Sequence, residues 1–212
     1  MPVRLPRLLL ADDHPVVLAG VRSLLESEVD LIGAVQDGRA LVEAALRLRP
    51  DVILLDISMP MLNGIDAARQ IRKDLPEAKI IFLTMHSDPD YVREALRAGA
   101  AGFVLKSSAG AELLEAIHTV VQGKFYLTRL IGEEVWAGVG REDRKVFSEL
   151  TSRQREVLQL IAEGRTAKEI ADILSISVKT VEFHKARLVQ VLGLHSIAAM
   201  TRYAIEHGLV EV

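Results

Sequence analysis

The sequence contains no cysteine, which removes disulfide frameworks, zinc–thiolate sites and cysteine nucleophiles at once and fits a reducing cytoplasm. No stretch approaches the ~18 to 20 consecutive apolar residues of a membrane span. Met1 to Leu10 holds two arginines but only the run Leu8-Leu9-Leu10 before Ala11-Asp12-Asp13, too short for the core of a signal peptide. Positive charge is not in excess either: 26 Lys and Arg against 29 Asp and Glu leave a formal charge of −3, not the balance of a strongly basic nucleic-acid binder. What is present, 212 residues with 50% hydrophobic and 26% charged content, is that of a soluble globular chain and divides better into two small domains than one large one.

The most informative stretch is Pro50 to Pro60. Val52-Ile53-Leu54-Leu55 has no alternation and is too short for a helix core, so it reads as a parallel strand buried on both faces. The strand ends on Asp56, and in an open parallel sheet ligands sit outside the carboxyl ends of the strands. Met59-Pro60 and Asn63-Gly64 then break the chain into a loop before the next helix. Taken alone, the stretch leaves open whether Asp56 is a reactive carboxylate or a surface Asp capping a helix.

Around it, short apolar runs alternate with helical periodicity from Leu8 to about Gly123, the pattern of a doubly wound α/β unit. Strands are expected at Leu8 to Ala11, Leu31 to Val35, Val52 to Leu55, Ile80 to Thr84 and Gly102 to Leu105, giving a five-stranded parallel sheet with five helices. Right-handed crossovers bring Asp12 and Asp13, Asp56, Thr84 and Lys106 to one edge. This set, with Phe103 three residues before Lys106, closely resembles the flavodoxin-like receiver domain of two-component response regulators over residues 5 to 123.

The resemblance implies a phosphoacceptor, Asp56, that takes a phosphoryl group from a phosphohistidine on a sensor histidine kinase. Three converging carboxylates repel one another unless a cation neutralises them, and oxygen ligands suit Mg²⁺. The implied direct ligands are Asp13, Asp56 and the main-chain carbonyl of Ser58, with Asp12 acting through water. Lys106 would stabilise the transferring group, while Thr84 would bond a phosphoryl oxygen and Phe103 would swing into the space it leaves. By themselves, Thr84 is an ordinary strand-end Thr and Phe103 a core aromatic. The chain departs from the commonest receiver pattern at Ser107, where many have proline, and Met85 follows Thr84 where a small residue is frequent. Ser58 and His86 would flank the path of attacking water, and His14-Pro15 reads as a helix start.

Residues 124–147 loosen into a linker with Gly132, Gly138 and Gly140, mixed charges and one short helix expected at Ile131 to Val135. Gly138-Val139-Gly140 lacks the lysine and following helix of a phosphate loop. From Leu150 the period becomes helical throughout. Thr151-x-x-Gln154 and Thr166-x-x-Glu169 are capping boxes, Ser177 can cap a third helix, and four helices are expected from about Ser152, Ala167, Val178 and Ser196. The second and third form a helix-turn-helix. Leu150-Thr151-x-Arg153-x-x-Glu156, Lys168-Glu169-Ile170-Ala171, Lys179-Thr180-Val181-x-x-His184 and Leu192-Gly193-Leu194 resemble the LuxR-type DNA-binding domain. Residues 1–123, 124–147 and 148–212 are thus read as receiver, linker and small all-α DNA-binding domain, and the whole chain resembles a NarL/FixJ-type response regulator.

On the third helix, Val181, Lys185, Leu188 and Leu192 share an inner side, with Lys185 at its edge, while Lys179, Phe183, Ala186 and Gln190 lie opposite. An exposed Phe and Ala suit thymine methyls in a major groove, and Glu182 could accept from a cytosine amine. The expected DNA contacts are Lys179, Thr180, Glu182, Phe183, Lys185, Ala186, Arg187 and Gln190. The same stripe could instead pack on the receiver. Residues 148–212 hold 8 Lys and Arg against 8 Asp and Glu, so one copy should bind double-stranded DNA weakly. A homodimer on repeated half-sites is therefore expected, with Ala198, Ala199, Tyr203 and Ala204 as its face.

The reading is a cytoplasmic, Mg²⁺-dependent phosphoprotein that regulates transcription, with no membrane partner and no enzymatic turnover of its own. An aspartyl-phosphate phosphatase would need an acid/base carboxylate two residues after the nucleophile, where this chain has Ser58. A receiver-like regulator acting by protein contact alone is the remaining alternative.

Overall fold

In a computed structural model of the protein, the structure describes residues 4–131 and 150–210. The expected helix at Ile131 to Val135 beyond its first residue, the Gly138-Val139-Gly140 segment and most of the expected linker lie outside the described residues. Strands β1 (Arg7–Ala11), β2 (Asp30–Val35), β3 (Val52–Leu55), β4 (Lys79–Thr84) and β5 (Gly102–Leu105) fall where the apolar runs placed them. A sixth, β6 (Tyr126–Leu127), joins the five expected and pairs with β5 inside the stretch read as linker. All pairings are parallel, in the order β2-β1-β3-β4-β5-β6.

The central strands are apolar on both sides because each faces a separate core. Leu9, Ile53, Leu55 and Phe82 pack with α2 (Gly38–Leu48), α3 (Gly64–Asp74) and α4 (Pro89–Arg97). Leu8, Leu10, Val52, Leu54 and Leu83 pack with α1 (Pro15–Leu25) and α5 (Ala109–Val121). Asp37, Asn63 and Asp88 cap α2, α3 and α4 through their side chains, so each loop ends in its own helix signal. Gly64 admits no side chain: a Cβ there would lie 1.9 Å from the carbonyl oxygen of Asp56, so the start of α3 presses directly on the acidic strand end.

The second domain has α6 (Ser152–Ala162), α7 (Ala167–Leu174), α8 (Val178–Leu192) and α9 (Ile197–Glu206). Both capping boxes form, and Ser177 and Ser196 cap α8 and α9. Val157, Leu158, Ile161, Ile170, Leu174, Val181, Leu188, Met200 and Leu209 make its core. Arg155 and Gln159 of α6 are nonetheless buried, because the opposite side of that helix lies on the first domain.

Candidate functional site

The carboxyl ends of β1, β3 and β5 deliver Asp12, Asp56 and Lys106 to one point. Lys106 Nζ lies 2.5 Å from Asp56 Oδ2 and 2.9 Å from Asp12 Oδ2. Asp56 Oδ1 accepts the backbone N–H of Ile57 at 2.6 Å, and Asp12 Oδ1 accepts that of His14 at 2.9 Å. Burial pushes the Asp56 carboxyl up to about 6; the Lys106 ammonium opposes the rise, and the Asp12 carboxylate adds to it. Burial alone would lower Lys106, but its attraction and hydrogen bond to Asp56 and its attraction to Asp12 outweigh that and hold its pKa above the ordinary value.

Asp12, Asp13, His14 and Asp56 each place a ligand atom within 4.8 Å of the others. Asp12 Oδ2 and Asp13 Oδ1 are buried oxygens that accept no hydrogen bond, although Lys106 and the His14 ring stand at ion-pair distance from them. Buried acceptors left in this way carry a desolvation penalty that a divalent cation would relieve, so the donor set fits a hard, oxygen-preferring ion. His14 starts α1 as expected, but its Nδ1 also sits 2.8 Å from Asp13 Oδ1, a contact its sequence position beside a proline did not suggest.

Thr84 is fully buried and its Oγ1 accepts the backbone N–H of His86 at 3.2 Å. Phe103 is buried beside Phe82, their ring centroids 6.4 Å apart. Met85 points away, with 65% of its surface exposed, and so does not fill the space at the strand ends. Ser58 Oγ and His86 Nε2 are joined at 2.9 Å, and the His86 ring stacks on Tyr91 at 4.3 Å. Among the described residues every peptide bond is trans, including the one after Lys106.

On α8, Lys179, Glu182, Phe183, Ala186, Arg187 and Gln190 are exposed, whereas Thr180 and Lys185 are half-buried. Thr180 is tied to the capping Ser177 hydroxyl, and Lys185 lines a cleft with Ile161, Ile170 and Ile197. The Arg187 guanidinium lies over the Phe183 ring, 5.6 Å from its centroid, and Nη1 donates to Gln190 Oε1 at 2.8 Å. The alternative in which this stripe packs on the first domain is not realised: Phe183 is 57% exposed. The small-residue face on α9 needs correction at Ala204, which is fully buried in the domain's own core.

Sequence reasoning missed the main contact between the domains. That main hold is the turn after Asp56 together with the start of α3. Arg155 donates to Asp66 through Nε at 2.9 Å and Nη2 at 2.6 Å, and this buried pair holds the Asp66 carboxyl below its usual range against the opposing effect of burial. Gln159 accepts the Asn63 N–H at 2.9 Å and donates to the Met59 carbonyl at 2.8 Å, while Glu163 accepts the Met61 N–H at 2.9 Å. Arg39 Nη2 reaches Glu156 at 2.9 Å. The available signal was the spacing of Arg155, Gln159 and Glu163 at i, i+4 and i+8, one polar stripe that reads as a solvated face until its partner is seen.

Comparison with known proteins agrees with this arrangement. The family described as "Response regulator receiver domain" matches residues 8–118, and "Bacterial regulatory proteins, luxR family" matches residues 148–204. The chain is 37% identical over 211 residues to the transcriptional regulatory protein MctR of Rhizobium johnstonii, covering 96% of this chain and 95% of that protein. It is 36% identical to the oxygen regulatory protein NreC of Staphylococcus aureus, covering 97% and 99%. Among solved structures, the RcsB response regulator of Salmonella typhimurium superposes with a TM-score of 0.66 at 30% identity, over 95% of this chain and 97% of that one. A structure described as two RcsB dimers bound to two parallel DNAs matches with a TM-score of 0.61 at 31% identity, over 94% and 98%.

Proposed function

This chain belongs to the two-component response regulators that join a receiver domain to a LuxR-type DNA-binding domain, the NarL/FixJ type, and we propose on that premise that Asp56 is its phosphoacceptor. The observation that carries the assignment is the convergence of Lys106 on both Asp56 and Asp12 at the strand ends. An oxygen of Asp56 attacks the phosphorus of a phosphohistidine on the sensor kinase. A P–O bond forms as the P–N bond breaks, and the electron pair returns to the imidazole. Lys106, already held cationic between the two carboxylates, is placed to follow the negative charge onto the phosphoryl oxygens. Thr84 can turn its hydroxyl from the His86 amide to a phosphoryl oxygen, and Phe103 lies in the core on the neighbouring strand, paired with Phe82.

Asp12, Asp13, Asp56 and the main-chain carbonyl of Ser58 would hold Mg²⁺, which when bound neutralises the carboxylates and the phosphoryl oxygens. The chain turns over no separate substrate; it receives a phosphoryl group and acts on DNA. The exposed stripe Lys179, Glu182, Phe183, Ala186, Arg187 and Gln190 is the reading surface, with Thr180 and Lys185 at its border. A net-neutral domain makes few phosphate contacts, which favours two copies on repeated half-sites in the cytoplasm, where both the DNA and the kinase's ATP are found.

The test is labelling by a small phosphodonor in Mg²⁺, read by intact mass and gel mobility. One phosphoryl group on the wild type and none on Asp56→Asn is expected. Labelling that survives the substitution, or that needs no divalent cation, refutes the assignment.

A further inference from the structure

We propose that the DNA-binding domain is a lid over the phosphoacceptor, so that the closed chain withholds Asp56 from its donor while leaving the DNA-reading stripe uncovered. The proposal rests on the assignment of Asp56. The covering surface is built for this turn. Met59 carbonyl, Met61 N–H and Asn63 N–H, backbone groups of the segment that leaves Asp56, are each satisfied by Gln159 of α6 or by Glu163 at its C-terminal cap. Met61 holds a left-handed backbone at φ 67°, unusual for a side chain of its kind, while its side chain packs against the core of the second domain.

A second contact closes the other side. The turn after α9 brings the Gly208 carbonyl to 3.5 Å from Ser58 Oγ, and a Cβ at Gly208 would lie 2.1 Å from the Tyr91 hydroxyl oxygen. Tyr91 is the residue stacked on His86, which in turn bonds Ser58. The tail of the second domain therefore reaches Ser58, two residues beyond Asp56, and Tyr91, the two side chains that hold His86. What remains between is a cavity of about 110 Å³, walled by Asp13, Ser58, Met59 and Pro60 from the receiver and by Glu163 and Val210 from the other domain. An anionic phosphoryl donor entering there would meet the Glu163 and Asp13 carboxylates in a space narrowed by both domains.

The outer stripe of the reading helix is left uncovered by this arrangement. The contacts that hold the domains come from α6 and the turn after α9, and Phe183, Ala186, Arg187 and Gln190 stay exposed. Closure thus governs when the chain can be phosphorylated, and not whether one copy can touch one site. Because binding free energies are reciprocal, a chain whose acceptor is occupied holds its lid less tightly by the same factor by which the closed lid disfavours occupation at equilibrium.

The experiment uses the full chain. Gln159→Ala combined with Glu163→Ala removes the three turn contacts without touching the domain core, and Gly208→Ala, made separately, pushes on Tyr91 from the other side. Both proteins are measured by small-angle scattering, by rate of labelling with acetyl phosphate and Mg²⁺, and by affinity for a one-site duplex selected with the full chain from a random pool. Expected are a larger radius, labelling at least threefold faster, and one-site affinity within twofold of the wild type. Variants that are extended yet labelled at the wild-type rate overturn the proposal, as does one-site affinity rising tenfold on opening. A wild type already as extended as the variants overturns it too. Absence of labelling in every protein removes the assignment of Asp56 and the lid with it, whereas equal labelling removes the lid alone.

Discussion

Arg155 of the DNA-binding domain grips Asp66 of the receiver with two hydrogen bonds, at 2.9 and 2.6 Å, in a pair almost completely removed from water. Asn63, which caps α3, donates its side-chain amide to the Asp66 carboxylate, and Arg69 donates to it as well, so Arg155 adds the share that comes from the other domain. A buried pair of this kind contributes specificity of placement more than net stability, because desolvation opposes the attraction. Breaking it on one side is another matter.

Arg155→Ala leaves Asp66 buried without its main partner, and Asp66→Ala does the same to Arg155. Each should destabilise the closed chain by about 3 to 5 kcal/mol, and the double variant should cost clearly less than the sum. Denaturant unfolding of the four proteins gives the coupling. Strict additivity would mean the pair does not hold the domains.

The raised pKa of Asp56 has a consequence for stability in the absence of metal. Between 3.8 and about 6 the folded chain keeps a proton that the unfolded chain has lost, so stability falls as pH rises through that window and stays low above it. Asp56→Asn lacks this loss. In a chelating buffer the variant should be more stable than the wild type at pH 7.5, by a margin on the order of 3 kcal/mol at most, with the gap closing as pH falls below about 6. Thermal melts across pH check it; a gap independent of pH would contradict the assignment of that shift to the Asp56 carboxylate.

On DNA, Phe183 and Arg187 should behave differently although one lies over the other. Phe183→Ala should lower discrimination between sites by about 1 to 3 kcal/mol, whereas Arg187→Ala should weaken all sequences alike and reduce the salt slope by about one. Competition binding at several salt concentrations separates them. Unchanged affinity and preference in Phe183→Ala would show that the outer stripe is not the reading surface.

Much of this was legible from the chain alone because the signals were local. Val52 to Leu55 could only be a strand buried twice, its end put Asp56 at the sheet edge, and Thr151-x-x-Gln154 and Thr166-x-x-Glu169 formed the boxes their spacing implied. β6 was missed because two residues, Tyr126 and Leu127, are too few to show a period. Arg155, Gln159 and Glu163 were missed for a deeper reason: a polar helix face normally belongs to water, and only the turn at Met59 to Asn63, about a hundred residues earlier, reveals its partner. Ala204 looked like surface because alanine is small, yet it fills the domain core.

The central claim is that occupation of Asp56 shifts the balance between the closed chain and an open or dimeric one, and beryllofluoride with Mg²⁺ tests it most directly as a mimic of the phosphoryl group. A complete shift from 1:99 to 99:1 would need about 5.5 kcal/mol of differential affinity, so a partial shift is expected. Scattering and sedimentation of the full chain with and without the mimic should show a larger radius or mass, accompanied by tighter binding to a repeated half-site. Identical shape, mass and DNA affinity in the two states, with Asp56 shown to be occupied, would contradict the account.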